Sequence, residues 1–243
     1  MPVLEALLDP RTTIHQVVVA RNAAGEAVDR ILDEATARGI TIQRADARRV
    51  THLSGNGRHD QGVVASVVSP GLADLDDWLV GPASHGPLTL LLLDGLTNPA
   101  NVGMIIRTVV AAGLAGVVLP RTGSPDVGPL VVKASAGVAL FAPVLQAATS
   151  AGAAGALAAA DISLVGLSAG AGPPLWDTAL PERMALVLGN ETSGLSPAVA
   201  ELVDSWCSIP LDGGVESLNV ASAAAVVAFE VARRRRSPPP RPA

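Results

Sequence analysis

Six residues at positions 88–93, Leu-Thr-Leu-Leu-Leu-Leu, form a continuous apolar run that ends at Asp94. A run of this kind is typical of a strand buried on both faces, which occurs almost only in parallel sheets covered by helices. Further strand-like runs follow at 116–119, 162–167, 184–188 and 206–211. Helical patterns alternate with them at 100–112, 128–136, 147–160 and 218–235. This alternation predicts an α/β fold around a parallel sheet.

The first 70 residues predict a smaller α/β unit ahead of this sheet. Its strand-like runs lie at 14–20, 40–43 and 62–68, and its helical patterns lie at 23–38 and 45–53. A passage rich in Pro, Gly and Asp, from Ser69 to Pro87, predicts a linker. The predicted organisation is a domain at 1–70, a linker at 71–87, a second domain at 88–236 and a disordered tail at 237–243.

The composition argues against a disordered chain and against a membrane protein. Hydrophobic residues make up 49% of the chain and charged residues only 16%, so disorder is not expected outside the tail. The most apolar long region, 147–176, is mostly Ala, Gly and Ser, which predicts a buried helix and strand rather than a membrane span. Cys207, the only cysteine, lies in an apolar run and predicts a core residue of a cytoplasmic protein. The four His residues show no paired ligand spacing, so no metal site is predicted.

The charge pattern leaves the nature of the partner open. A net charge of −5 argues mildly against a nonspecific nucleic-acid binder. All but one of the 17 basic residues are Arg, however, and four of them end the last predicted helix at 233–236. That run either binds phosphate or is a solvated helix end favoured by the helix dipole. An RNA surface would combine it with Arg44, Arg48, Arg49 and Arg58, which are otherwise ordinary solvated residues.

Common nucleotide and hydrolase motifs are missing from the chain. There is no Gly-x-Gly-x-x-Gly after a strand, no phosphate loop and no Gly-x-Ser-x-Gly elbow. The Gly-rich segment 166–172 has the wrong spacing for a dinucleotide fingerprint. Instead, three loops rich in Gly and amides each follow an apolar run and precede a helix, at 98–107, 188–195 and 209–222. Because ligands of open α/β sheets bind at the carboxyl ends of the strands, these loops predict one shared site.

Taken singly, the polar residues of these loops have plain structural explanations. Arg107 interrupts an apolar helix, where it is either a surface side chain or a functional one, because burying it alone is costly. Glu191 and Asn219 precede predicted helices, where carboxylates and amides serve as caps. The combination of all three in one chain is more specific than any one of them.

The order and spacing of these residues resemble the SpoU/TrmH branch of the SPOUT RNA methyltransferases. Its first motif is Asn-x-Gly followed four residues later by Arg, its second is Gly-x-Glu-x-x-Gly, and its third is Ile-Pro followed by Ser-Leu-Asn-Val. The counterparts here are Asn101, Gly103 and Arg107; Gly189, Glu191 and Gly194; and Ile209, Pro210, Ser217, Leu218, Asn219 and Val220.

The resemblance extends to the 23S rRNA guanosine 2′-O-methyltransferase group, whose small N-terminal domain is L30e-like. Segments 3–7, 61–65 and 133–137 look like that group. Asp60 departs from it by separating His59 from Gln61, which affects the expected RNA contacts, and Ala221 is a milder change after the third motif.

This resemblance implies a trefoil-knotted C-terminal SPOUT domain, a homodimer, and methylation of an RNA ribose 2′-hydroxyl by S-adenosylmethionine. It implies that Arg107 is the base that takes the hydroxyl proton, and the chemistry of Arg adds the alternative of a cation that steers the phosphate and stabilises the alkoxide. Guanidinium groups rarely give up a proton, so both hypotheses stay open. The residues implied to orient the ribose and the loops are Asn101, Glu191, Ser217 and Asn219. Those implied to bind the donor are Gly189, Ile209 and Leu218, with Leu167, Leu188 and Pro210 beside them.

Ribosomal RNA is the leading target under this interpretation. A transfer RNA, or the ribosomal site whose methylation gives thiostrepton resistance, is the alternative within the same class. A noncatalytic L30e-type RNA-binding protein is a more distant alternative, although it would be expected to lack the motif residues. A small-molecule-binding α/β protein is favoured only by the acidic net charge.

Overall fold

The computed structural model of the chain describes residues 2–10, 12–54, 61–69 and 71–236. Arg58, Asp60 and the predicted tail from 237 onward lie outside the described residues. The chain divides into two compact units. The first contains residues up to 71 together with 139–141, and the second contains the rest.

The first unit is a three-stranded sheet with helices. Its elements are helix α1 (Pro2–Leu8), strand β1 (Thr13–Ala20), helix α2 (Glu26–Ala37), strand β2 (Thr41–Ala45), helix α3 (Ala47–Ser54) and strand β3 (Val63–Val68). The central strand β1 pairs parallel with β2 and antiparallel with β3. Helix α2 buries Val28, Ile31 and Ala35 at helical spacing. It begins at Glu26 rather than at residue 23 because Gly25, at φ 116°, interrupts the backbone there.

The second unit is a parallel sheet covered by helices. Its first elements are β4 (Leu72–Asp74), α4 (Leu75–Leu79), β5 (Leu88–Leu93), α5 (Pro99–Ala112), β6 (Gly116–Pro120), α6 (Pro129–Ala134) and β7 (Val144–Ala147). The remaining elements are α7 (Ser150–Ala159), β8 (Ser163–Leu167), β9 (Arg183–Leu188), α8 (Pro197–Ala200), β10 (Ser205–Cys207) and α9 (Val220–Arg236). The strand order is β10-β8-β9-β5-β6-β7-β4, and every pairing is parallel.

The parallel α/β sheet predicted from the apolar runs is confirmed. Strand β5 lies in the middle of the sheet, and all six of its residues are buried. Packed around it are residues of β8 and β9 and helix α7, including Leu157, Leu164 and Val187. This core fixes the carboxyl ends of the central strands along one edge of the sheet. The trefoil knot stays a prediction.

Three sequence expectations are corrected by this sheet. Residues 72–79 were expected in a linker but form β4 and α4, and β4 pairs with β7 at the sheet edge. The helix expected at 147–160 begins only at Ser150, because residues 144–147 form β7. The strand expected to reach residue 211 ends at Cys207. In each case a pairing with a distant strand, rather than local periodicity, sets the boundary.

Two absences concern the described part of the chain. None of its helices has both the length and the apolar composition needed to cross a membrane. No three of its potential metal-ligating side chains lie close enough together to bind an ion.

Candidate active site

A cavity of about 500 Å³ lies at the carboxyl ends of β8, β9 and β10. Its walls come from the loops that follow these strands, from Trp206 within β10, and from the first residues of α9. The lining includes Leu167, Ser168, Ala169, Gly170, residues 188–195, Ile209, Leu211, Glu216, Ser217, Leu218, Val220 and Ala223. The volume is in the range of cavities that bind ligands the size of a nucleoside.

Five of the six residues predicted to bind the donor lie on the cavity wall. They are Leu167, Leu188, Gly189, Ile209 and Leu218. Pro210 does not, and it is exposed on the loop that leaves β10. The predicted contact between Pro210 and a bound donor therefore stays a prediction.

The turn after β9 requires glycine at position 189. A Cβ atom on Gly189 would lie 2.3 Å from the backbone of Gly194. The turn is closed by two backbone hydrogen bonds between Asn190 and Gly194, of 3.1 and 2.9 Å. Gly194 has φ 67°, a left-handed conformation that glycine adopts without strain. The two glycines therefore bring two backbone segments together at the wall of the cavity.

A chain of side-chain hydrogen bonds connects the three loops singled out in the sequence. Asn101 Nδ2 donates to Glu191 Oε1 at 2.7 Å, and Asn219 Nδ2 donates to Asn101 Oδ1 at 3.2 Å. Asn101 is buried, whereas Glu191 and Asn219 are exposed. Of the five residues predicted to take part in catalysis, Glu191 and Ser217 line the cavity, and this chain joins Asn101 and Asn219 to Glu191.

The direction of this chain follows from helix capping. Asn219 Oδ1 accepts from the backbone N–H groups of Ala221 and Ser222 at the start of α9, at 3.0 and 3.3 Å. Its NH₂ group is therefore left to donate to the Asn101 oxygen, and the NH₂ group of Asn101 donates to Glu191. The Glu191 carboxylate is therefore the last acceptor of a chain of two hydrogen bonds, in which each bond polarises the next. Asn219 therefore both caps helix α9 and takes part in the site.

Arg107 lies outside the cavity wall. It follows Asn101 on helix α5, which begins after the cap Asn98 and ends before Gly113. The Arg107 side chain is exposed and makes no hydrogen bond or ion pair with another described residue. Its guanidinium is therefore available to an external anion, whereas Asn101 on the same helix is committed to the site.

The cavity also contains residues outside the three predicted loops. Trp206 pairs with Gly166 across β10 and β8, and a Cβ on Gly166 would lie 2.7 Å from the indole ring. The glycine therefore makes room for the tryptophan. Residues 168–170, which lack the spacing of a dinucleotide fingerprint, form part of the same wall. The signal that could have identified them is their position directly after a predicted buried strand.

Cys207 is fully buried at the end of β10, as predicted for a core residue. Burial raises the pKa of its thiol to about 11, against a smaller opposing effect of Arg234. A thiol with a raised pKa is a poor nucleophile at neutral pH. The residue therefore serves packing.

The Arg run at the end of α9 makes several contacts within the protein. Arg234 donates to Glu230 and to the backbone carbonyls of Leu175 and Thr178. Arg235 donates to Thr89 Oγ1 at 2.7 Å. These bonds favour a structural role for this part of the run over the phosphate contacts considered from the sequence.

The sequence profile described as the SpoU rRNA methylase family matches residues 88–229. A second profile, described as RNA 2′-O ribose methyltransferase substrate binding, matches residues 1–71. A 23S rRNA (guanosine-2′-O-)-methyltransferase RlmB from Xylella fastidiosa is 36% identical over 87% of this chain and 86% of its own length. An uncharacterised tRNA/rRNA methyltransferase of Mycobacterium tuberculosis is 35% identical over 98% of this chain and 73% of its own length.

Solved structures show the same fold. The SpoU methyltransferase AviRb from Streptomyces viridochromogenes, in complex with AdoMet (S-adenosylmethionine), matches with a TM-score of 0.78 at 25% identity. The match covers 97% of this chain and 88% of AviRb. An AdoMet-bound rRNA methyltransferase from Sinorhizobium meliloti matches in fold with a TM-score of 0.73, over 98% of this chain and 86% of that protein.

Proposed function

We propose specific roles for the site residues and an RNA target, on the premise that this chain belongs to the SpoU rRNA methylase family. The activity is the S-adenosylmethionine-dependent methylation of a ribose 2′-hydroxyl of RNA. The observation that carries the assignment of the site is the hydrogen-bond chain from Asn219 through Asn101 to Glu191. It joins three distant segments of sequence beside one cavity, which helix capping alone does not require.

The residues of the cavity fit S-adenosylmethionine. Leu167, Leu188, Ile209 and Leu218 supply apolar surface for an adenine ring, and the turn at Gly189 brings backbone polar groups to the wall. Glu191 and Glu216 add carboxylates to the lining, which suit a donor carrying a sulfonium and an ammonium. When bound, the donor supplies an electrophilic methyl group, so the RNA hydroxyl must lose its proton as it is methylated.

The chain from Asn219 to Glu191 positions the loops and the ribose in this proposal. Its amide and carboxylate groups are held before RNA arrives, so little reorganisation is needed at the moment of reaction. Ser217, which is exposed on the cavity wall two residues before Asn219, contributes a further hydroxyl that can donate or accept a hydrogen bond.

Arg107 is proposed to act on the RNA rather than on the donor. Its exposed guanidinium has no partner among the described residues, so its N–H groups are available to a phosphate. Arg107 either reacts as the neutral guanidine and accepts the hydroxyl proton, or it remains a cation that stabilises the forming alkoxide while water takes the proton. Both hypotheses predict that Arg107→Ala lowers kcat about 100-fold or more.

A pH–rate profile of wild type and Arg107→Lys separates the two hypotheses. A base requires a changed alkaline limb in the Lys variant, whereas a steering cation requires a reduced rate with an unchanged profile. An unchanged rate in both the Lys and the Ala variants would eliminate both roles.

The proposed target is 23S rRNA. The Xylella relative is named for that RNA, and the substrate-binding profile covers the first 71 residues of this chain. In the same unit, Arg44, Arg48 and Arg49 are exposed on β2 and α3. We propose that these three arginines bind the phosphate backbone of the RNA. We also propose that the protein acts in the cytoplasm, where ribosomal RNA is processed.

Methylation mapping tests the activity and the target together. Cells with and without this gene are compared for 2′-O-methylated positions in ribosomal and transfer RNA, and titration calorimetry measures AdoMet binding by the purified chain. Loss of one position in 23S rRNA is the expected result. Loss of a position in transfer RNA would replace the target, and no loss together with no AdoMet binding would refute the proposed function.

We also propose that the chain forms a homodimer through helices α5 and α9. These helices pack against each other, yet Met104 on α5 and Val226 and Phe229 on α9 are 42%, 39% and 50% exposed. Large apolar side chains exposed on neighbouring helices indicate a surface that is covered by a partner. Arg107 belongs to the same helix as Met104, so this arrangement would bring the interface close to the site.

A further inference from the structure

Asp94, at the carboxyl end of β5, is a nearly buried carboxylate outside the three sequence motifs. The residue is only 5% exposed. Asp94 Oδ2 accepts from the backbone N–H of Ser196 at 2.6 Å, and the Asp94 N–H donates to the carbonyl of Leu188 at 2.9 Å. The next residue contributes a third bond, because the Gly95 carbonyl accepts from Asn190 Nδ2 at 3.2 Å.

These three bonds fix both ends of the loop at 189–195. Leu188 and Asn190 lie at its beginning, and Ser196 follows its last residue. The bond to Ser196 is short and has a carboxylate acceptor, and such charge-assisted bonds are stronger than bonds between neutral groups. The loop carries Gly189 and Glu191 and forms one wall of the cavity. Asp94 itself is absent from that wall, so it acts on the site only through the loop.

We infer that Asp94 is a positioning residue of the donor site, which together with Gly95 holds the loop at 189–195 in the shape that binds S-adenosylmethionine. This inference rests on the proposed function. A loop that is already ordered pays less conformational entropy when the ligand binds, so tethering its ends raises affinity without any direct contact. Losing the carboxylate also leaves the N–H of the half-buried Ser196 without its acceptor.

Asp204 provides a matched control in the same unit. Its Oδ2 accepts from the backbone N–H of Leu164 at 2.7 Å, which is the same kind of bond at nearly the same length. Leu164 lies near the amino end of β8, whereas the cavity lies at the carboxyl ends of the strands. Removing either carboxylate therefore orphans one backbone N–H, but only Asp94 holds a segment of the cavity wall.

The experiment compares Asp94→Ala with Asp204→Ala in the full chain. Titration calorimetry gives the Kd for S-adenosylmethionine, and thermal unfolding gives Tm. Both variants are expected to lower Tm, but Asp94→Ala should raise Kd at least about fivefold, whereas Asp204→Ala should leave it within about twofold. Asp94→Asn keeps an oxygen acceptor for Ser196 and should recover most of the affinity. Equal Kd values for folded Asp94→Ala and wild type would overturn the inference.

A second variant keeps the inference testable if Asp94→Ala does not fold. In the wild type, Asn190 Nδ2 donates to the Gly95 carbonyl and Asn190 Oδ1 accepts from the Thr192 N–H at 2.9 Å. Asn190→Ser removes the donor to Gly95, while the serine hydroxyl can still accept from Thr192. It should also raise Kd, and unchanged binding would contradict the tethering role. Failure of the proposed function has a different signature, because wild type itself would then not bind S-adenosylmethionine.

Discussion

Asn219 combines two tasks in one side chain, and its two polar atoms separate them. Its oxygen caps α9 through Ala221 and Ser222, whereas its NH₂ group donates to Asn101. Capping contributes to stability, and the amide donor contributes to the site. A substitution that changes only one of the two atoms therefore distinguishes folding from activity.

Asn219→Asp keeps the capping oxygen and removes the donor to Asn101. We expect Tm to stay close to wild type and methyl transfer to fall at least about tenfold, because the chain to Glu191 is broken. Asn219→Ala, which removes both atoms, should in addition cost about 1 kcal/mol of stability. A radioactive methyl-transfer assay and thermal unfolding measure the two effects. Full activity of Asn219→Asp would show that the donor has no role in the reaction.

Gly189 tests the packing of the turn at the cavity wall. Gly189→Ala places a Cβ 2.3 Å from the Gly194 backbone, so the turn must open. We expect a loss of about 1–3 kcal/mol of stability and weaker binding of S-adenosylmethionine. Gly155→Ala is the control, because nothing lies within 4 Å of its Cβ inside helix α7. That change should be neutral or stabilise by up to about 1 kcal/mol. Similar effects of both substitutions on binding would contradict the close approach at Gly189.

Among the elements, helix α9 depends on a small ionic cluster at its end. Glu230 accepts from Arg233 and Arg234 at 2.7 Å each, and Arg234 also reaches the carbonyls of Leu175 and Thr178. The hydrogen bond from Arg233 is the largest effect that lowers the pKa of Glu230 to about 2, against an opposing effect of burial. The cluster ties the end of α9 to the segment between β8 and β9.

The pKa of Glu230 predicts how this contribution depends on pH. Because the folded pKa lies below the ordinary value of 4.5, the stabilisation is present above about pH 4.5 and is lost as the pH falls toward 2. Glu230→Gln should therefore lower Tm at pH 7, and the difference from wild type should shrink as the pH is lowered through this window. Thermal unfolding at several pH values measures it, with the exposed Glu201→Gln as control. A constant difference across the window would contradict the ionic role.

At the scale of the whole molecule, a measurement of the oligomeric state tests whether the exposed apolar residues on α5 and α9 form a dimer interface. Phe229→Glu places a charge on this surface and should shift the protein toward monomer, because desolvating an unpaired carboxylate in an interface is costly. Val80→Glu is the matched control, since Val80 is 84% exposed and lies outside both helices. Sedimentation velocity distinguishes the states. A monomeric wild type, or an unchanged dimer in Phe229→Glu, would contradict the proposed interface.

Local patterns in the sequence were sufficient for the sheet and for the region of the site. The run at 88–93 predicts a strand buried on both faces because its side chains are apolar whichever way they point, and β5 is such a strand. The three Gly- and amide-rich loops indicated a shared site because parallel strands end along one edge, and the bonds among Asn101, Glu191 and Asn219 join those loops. These features depend on residues close together in sequence or on rules that hold for every parallel sheet.

The tertiary structure alone decided which residues contact one another. Strand β4 has three residues and no periodicity of its own, and it exists because it pairs with β7, about 70 residues later. The role of Asp94 depends on the Ser196 N–H, and the role of Arg234 depends on two carbonyls far back in the chain. A charged side chain is stabilised by whichever polar groups surround it after folding, and sequence neighbours do not reveal those groups.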